Sequence, residues 1–500
     1  VLETFGNYNR KYESIESTVD ITAGYTFEQQ KGDYASYWAE GLSTDLLGVN
    51  GVPTATRLDN DLSVDESKLI SFFGRANWTW KERYLFTASI RRDGSSRFGD
   101  GNEWGVFPAL AAAWRIVDEP WFAETNWLSD LKLRASWGVN GNQSFGNYLY
   151  VPTYTPGGAQ ATYQFGNEFV STLRPSAVDP NIKWEQTTST NLGFDFGLWN
   201  DRVTGTLDYY NKDTKDLIFS VPVPAGTTTG NFVTTNIGSM NNKGLELGLS
   251  AVVLDGRDGA WRYEAGFAIS TNQNKITAIS ASETDRILTG GIAGGVGSRI
   301  QVLQPGSPIN SFYVYETRKQ NGRPVTGDLP DIDLYVDQNG DDIINQDDLR
   351  AYKNPAPRWI IGHTSTASWK AWDFSATARM YLGNYVYNNV ASNLGHWSGV
   401  RGTAPSNRHA SVLRNDFVNP QYFSDLYVED ASFLRLDNIA AGYTIRNLRG
   451  LSSVRVFGAI QNVFTTTDYT GVDPLAGVNG IDNNLFPLSR TFTLGLNVAF

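Results

Sequence analysis

The 500 residues carry a net charge of −11, and no Cys is present. An acidic chain without a basic face does not suit nucleic acid, and zero Cys excludes a disulfide framework and a thiolate metal site. A mean hydropathy of −0.33, with no run of about eighteen apolar residues, argues against helical membrane spans.

A membrane barrel escapes that last test, because its lumen-facing polar residues cancel its lipid-facing apolar ones in any window average. The 15 Trp and 24 Tyr suit the interfacial girdles of such a barrel. The stretch Val1 to Lys11 lacks the basic start and apolar run of a secretory signal. A barrel must be exported, so the expectation is an upstream signal and a chain that is the C-terminal part of something longer.

Taken in order, Ile21 to Gln30 reads as a strand, and the polar stretch Leu42 to Ser67 as a long loop. Phe72–Trp80 and Tyr84–Arg91 read as a hairpin across Lys81, Glu82 and Arg83. Tyr84, Phe86, Ala88 and Ile90 share one face. Leu131, Leu133, Ala135 and Trp137 alternate with Lys132, Arg134 and Ser136. Leu192, Phe194, Phe196 and Leu198 alternate in the same way before a turn at Asn200-Asp201, after which Val203, Gly205, Leu207 and Tyr209 resume the period. The pattern returns in Leu245 to Leu249 and Trp261 to Ile269, and in a hairpin turning at Lys370-Ala371. It ends in Arg490 to Phe500, where Phe492, Leu494, Leu496, Val498 and Phe500 face one way.

A strict period of two makes one greasy and one polar face. About ten residues of it is the length that crosses a bilayer in a tilted barrel. Short links (Lys81 to Arg83, Asn200-Asp201) contrast with long ones (Gly138 to Lys183, Ile276 to Ser311), as short periplasmic turns contrast with long outer loops. No composition break divides the chain, so residues 1–500 read as one all-β unit: a large antiparallel transmembrane barrel with long extracellular loops. Roughly fifteen or sixteen candidate strands are visible, and an incomplete barrel of roughly sixteen to eighteen is expected.

Several stretches, in order, resemble the SusC/RagA family of TonB-dependent outer-membrane transporters. They are Ser71 to Arg97, Leu131 to Gln143, Trp184 to Leu217, Asn236 to Leu249, Val428 to Thr444 and Val454 to Phe464. The resemblance covers nearly the whole chain. It implies a barrel of about twenty-two strands filled by a plug, capped by a SusD-like surface lipoprotein. Such a complex imports oligosaccharides or peptides, driven by TonB acting on the plug. This sequence shows no plug and no TonB box, and too few strands to close that barrel. Alone it is expected not to be transport-competent.

The sharpest chemical pattern is Asp337 to Asp348. With Asp337 as the first position, Asp337, Asn339, Asp341, Asn345 and Asp348 place oxygens at calcium-loop spacing, and Ile343 supplies a carbonyl. Ca2+ in a structural role is therefore an expectation, against the alternative of an acidic solvated loop. Asp348 stands where an EF-hand has Glu, so the loop looks more like a dockerin-type one; Asp342 stands where the usual Gly makes the sharp turn, which is then less easily made. The histidines, His363, His396 and His409, lie in separate segments without ligand spacing. Arg91 to Arg97 reads as a loop charge network, and Gly94 to Gly105 lacks the context of a phosphate cradle. Aromatics placed in loops (Tyr34, Tyr37, Trp38 and Trp397) are candidates for stacking on sugar or for protein contact. Phe500 is read as the terminal signal for barrel assembly, in line with the family, and as a lipid-facing anchor.

The reading is a gated importer with no bond chemistry in this chain. Two alternatives stay open: a passive porin or adhesin-presenting barrel, and a soluble all-β glycan-binding protein. A hydrolase is a more distant fourth.

Overall fold

The computed structural model describes all residues except 123–125, 157–161, 224–229, 231, 257–259, 280–285, 296, 401–406 and 449. Its main element is a 15-stranded sheet, each strand beside its sheet neighbour in chain order. We label these strands β1 (Leu2–Tyr12), β2 (Ser17–Glu40), β3 (Arg57–Trp80), β4 (Tyr84–Ser95), β5 (Trp104–Arg115), β6 (Leu128–Asn142), β7 (Glu185–Leu198) and β8 (Val203–Lys215). They continue as β9 (Ser239–Asp255), β10 (Arg262–Ala278), β11 (Trp359–Trp369), β12 (Trp372–Leu382), β13 (Phe433–Leu448), β14 (Leu451–Thr467) and β15 (Thr491–Ala499). Among the described residues the sheet holds fifteen strands, as many as the fifteen or sixteen candidates read in the sequence. The shorter strands of the long links pair among themselves in separate small sheets instead of extending the large one.

Local chemistry explains the tight reversals. Lys81 and Glu82 between β3 and β4, Asn200 and Asp201 between β7 and β8, and Lys370 between β11 and β12 all have positive φ. That backbone matches the twist of the strands it joins, and Asn and Asp tolerate it best. The expected hairpins form with Trp80 opposite Tyr84 and Trp369 opposite Trp372.

One expectation is overturned. Arg57 to Ser67 is not loop but the first half of β3, paired residue by residue with Gln30 to Glu40. Leu58, Leu62 and Val64 there are all exposed. They lie on one face of the ribbon, but Asn60 and Glu66 share that face and the opposite side is rich in Asp, so the whole stretch reads as polar. Tyr34, Tyr37 and Trp38 accordingly sit on β2, not in a loop.

By contacts the chain forms two compact units. The first is Val1–Ala112, Ser136–Ser189 and Thr214–Ile237; the second is Ala113–Ala135, Thr190–Asp213 and Gly238–Phe500. In the first, Phe98, Phe107, Ile182 and Trp184 make a small aromatic core. Within it the Trp184 indole donates to the Glu103 carbonyl at 2.9 Å.

In the second unit, three long links gather into a cap with its own core. Ile292, Ile300, Phe312 and Val314 come from the link between β10 and β11. Tyr387, Ala391, Tyr427 and Val428 come from the link between β12 and β13, and Ile481 from that between β14 and β15. A four-stranded sheet (Ile287–Gly291, Arg299–Leu303, Ser311–Val314, Arg350–Tyr352) and a three-stranded one (Tyr385–Asn388, Val428–Asp430, Ile481–Asp482) frame that core. Polar ties lock the pieces. Gln301 donates to the Asn479 carbonyl at 2.6 Å, Asn389 to Asn483 at 2.6 Å, and the Tyr469 hydroxyl to Asp482 at 2.7 Å. Burial pushes the Tyr335, Tyr387 and Tyr427 phenols above their ordinary value, so they stay neutral donors.

Candidate functional site: a two-faced sheet and its cap

In the second unit the sheet separates its side chains cleanly. On one face of β6, β7 and β8, Arg134 bridges two strands. Its Nε donates to Asp195 at 2.9 Å and its Nη1 to Asp208 at 3.0 Å. Lys132 adds a charge 3.6 Å from Asp195. Arg455 of β14 holds Asp373 of β12 (Nε to Oδ2, 2.9 Å), and Arg379 pairs with Asp437 at 2.9 Å. Arg435 on β13 is fully buried. It donates to Thr465 and to Asp473, each at 2.8 Å, tying the sheet to the cap segment that follows β14.

The opposite face is apolar. Register places Ile439, Ile460 and Phe492 in one row across β13, β14 and β15, and Tyr443, Val456 and Leu496 in another. Trp261 stacks on Trp369 at 5.6 Å with 9° between planes, and Trp372 meets Tyr443 at 4.9 Å. These rings flank the short turn between β11 and β12. The first unit repeats the division. Asp20 accepts from Asn9 at 3.1 Å on the polar side. Trp80 and Tyr84 pack at 5.2 Å beside the turn on the apolar side.

A row of ion pairs on one face and aromatics at the strand ends on the other is what a wall between lipid and an aqueous lumen needs. Among the described residues no helix is long and apolar enough to cross a membrane; a barrel crosses with strands.

The acidic loop is closed by its own side chains. Asp337 accepts from the Gly340 amide at 2.6 Å and the Asp342 amide at 2.8 Å. Asn339 accepts from Asp341, and Asp341 from Ile343. Asn345 accepts from Asp347. Asp348, fully buried, holds the Gln338 amide at 2.7 Å and the Asn345 amide at 2.9 Å. The amide donors, that of Asp342 first, keep the Asp337 carboxyl below its ordinary value. The donors are the hard oxygens a calcium ion takes. Half of them, Asn339, Asn345 and the Ile343 carbonyl, are neutral oxygens; among the described residues no group of three or more His, Cys, Asp or Glu is placed to hold a metal by itself.

The remaining expected residues are dispersed. Tyr37 and Trp38 are exposed in the first unit, with Arg57 over the Trp38 ring at 5.4 Å. Trp397 lies in the second, between Asn389–Leu394 and Ser398–Val400. Its indole donates to Asp416 at 2.7 Å. Phe500 follows β15 and is exposed.

The histidines have local partners. His396 contacts Ser398 at 2.7 Å, His409 contacts Ser411 at 2.9 Å, and His363 packs on Phe267. Burial pushes the His396 and His409 imidazoles below their ordinary value. Arg91 is spent on Asp93 and Ser71, and Arg97 on the carbonyls of Gln143 and Phe145. Sequence reasoning missed the Arg435–Asp473 tie. Its two residues are 38 apart, and no periodicity signals such a contact.

Comparison with known proteins agrees with this geometry. The family described as TonB dependent receptor-like, beta-barrel, matches residues 2–463. The TonB-dependent receptor SusC of Bacteroides thetaiotaomicron is 39% identical over 447 residues, which cover 86% of this chain and 44% of that protein. The TonB-dependent receptor P3 of Formosa agariphila is 28% identical over 529 residues, covering 100% of this chain and 52% of its own. The solved RagAB peptide transporter superposes with a TM-score of 0.80 at 24% identity, over 100% of this chain and 55% of that one, a likeness of fold. The chain spans about half the length of the curated relatives it matches.

Proposed function

The chain belongs to the TonB-dependent receptor-like β-barrel family, within its SusC/RagA group, and from that premise we propose that it is barrel wall of an outer-membrane nutrient importer. The observation that carries the reading is the two-faced sheet. Its polar face presents charges already paired, as Arg134 is by Asp195 and Asp208. A hydrated solute can pass such a surface without meeting a bare charge that would hold it. Its apolar face offers hydrocarbon and interfacial aromatics to lipid.

In the whole protein, import is energised by TonB, and a SusD-like surface lipoprotein delivers oligosaccharides or peptides. SusC among the relatives and the RagAB peptide transporter among the folds support this. Exposed Tyr37, Trp38 and Trp397 serve as substrate contacts, and Phe500 as the assembly signal.

The test is purification of the full-length protein from outer membranes in mild detergent. A SusD-like lipoprotein should come with it, and uptake by intact cells should stop when TonB is deleted. Trp38→Ala and Trp397→Ala should lower uptake at unchanged barrel abundance. A protein that emerges alone and passes solute without TonB would be a porin, and the proposal would fail.

We propose Ca2+ for the loop Asp337–Asp348 on its donor spacing alone. Asp348→Ala should cost about 1–3 kcal/mol even in chelator, because it removes the two hydrogen bonds by which a buried carboxylate holds the Gln338 and Asn345 amides. A melting temperature that rises with added calcium in the parent, and not in Asp348→Ala, supports the ion. Identical parent melts in chelator and in calcium dismiss it.

A further inference from the structure

The apolar face of the second unit is not uniformly bulky. Across β11 to β15 it opens into a groove of about 520 Å³. The floor is made of small residues: Ala367, Ala376, Ala441 and Gly458. Register brings them together, with Ala441 opposite Gly458 and Ala367 opposite Phe374. Phe374, Ile439, Ile460 and Phe492 form its sides.

Three polar residues line the groove, Ser365, Ser375 and Thr493; register turns Ser375 and Thr493 to the opposite face, and the hydroxyl of Ser365 is already taken. The Ser365 hydroxyl lies 3.0 Å from the Tyr263 hydroxyl and 2.8 Å from His363 Nε2. The groove therefore offers nothing to a polar ligand and much to a hydrocarbon chain.

Its position says which hydrocarbon. Ala367 lies three residues before Lys370, about 10 Å along the strand. Between them stands the row Trp261, Trp369 and Trp372, whose rings mark the interface. Lys370 sits at the tip of the short turn, its ammonium 4.8 Å from the Trp369 ring centre. Apolar groove, aromatic belt and cation thus follow one another over the depth of a single leaflet. Short turns face the periplasm in such barrels.

We propose that this strip holds a phospholipid of the periplasmic leaflet, one acyl chain in the groove and its phosphate at Lys370. The inference rests on the reading of this face as lipid-facing. It goes beyond that reading by separating one bound lipid from the exchanging lipid around it.

The experiment uses the full-length protein reconstituted in nanodiscs containing spin-labelled phosphatidylglycerol. Electron paramagnetic resonance reads the motionally restricted lipid. Ala441→Leu fills the groove and should remove the tightly held fraction. Lys370→Gln, in an exposed turn that leaves the barrel intact, should weaken it and make it less sensitive to salt. Restricted lipid equal in the parent and both variants would overturn the site while leaving the barrel reading intact. So would Ala441→Leu altering the oligomeric state without altering bound lipid, since the groove would then seat a second copy. Failure of the protein to enter nanodiscs would sink both readings together.

Discussion

Replacing Arg435 by methionine is expected to cost about 3–5 kcal/mol, because it leaves Asp473 buried without its partner. Both residues are almost wholly enclosed. Among the described residues Asp473 would keep the Leu475 amide alone, at 2.8 Å. The guanidinium also lies over the Phe433 ring at 5.2 Å, so packing is lost along with charge. Urea unfolding of the reconstituted protein measures the total. Limited proteolysis should show the segment after β14 becoming accessible first, since Arg435 is its anchor to β13. The double change Arg435→Met with Asp473→Leu should recover a large part of the loss, because it removes the orphaned charge. A double variant as unstable as the single one would mean that packing, not the charge pair, dominates.

The second large effect lies in the cap. Phe312 is fully buried in its core, with Tyr387 at 6.4 Å between ring centroids. Phe312→Ala is expected to cost about 3–5 kcal/mol, the transfer term plus the cavity. The loss should be confined to the cap, because the wall sheet makes its own backbone ladders. Hydrogen exchange should therefore speed up in Arg299–Leu303 and Tyr385–Asn388 while β12 and β13 keep their protection. Uniform acceleration across the sheet would show that cap and wall melt as one cooperative unit.

What the sequence made legible follows from what water sees. The residues of β4, β7 and β15 set an apolar row on one side and a small or polar row on the other, so the period of two is written in their letters. The turns Asn200-Asp201 and Lys370-Ala371 were legible because a tight reversal between two such periods leaves few alternatives. The outer half of β3 was not legible, since its apolar row of Leu58, Leu62 and Val64 is interrupted by Asn60 and diluted by the Asp residues between. Nor was the cap. Phe312, Tyr387 and Ile481 meet only in three dimensions, and their short strands look like loop. The acidic run 337–348 was recognisable as a folded loop from its Asp and Asn spacing. Which partner each oxygen takes, a backbone amide or an ion, is decided by the closure of the chain and not by the spacing.

The interlocking of three links in one core carries a consequence for how such proteins diversify. Links that project separately can be lengthened, shortened or exchanged one at a time, each as an independent trial. Here Gln301 reaches Asn479, and Asn389 reaches Asn483. An exchange of one link is therefore judged by the other two. Change in this outer surface must come in matched sets, and a graft meant to transfer the specificity of one relative to another has to carry residues 286–358, 383–432 and 468–490 together.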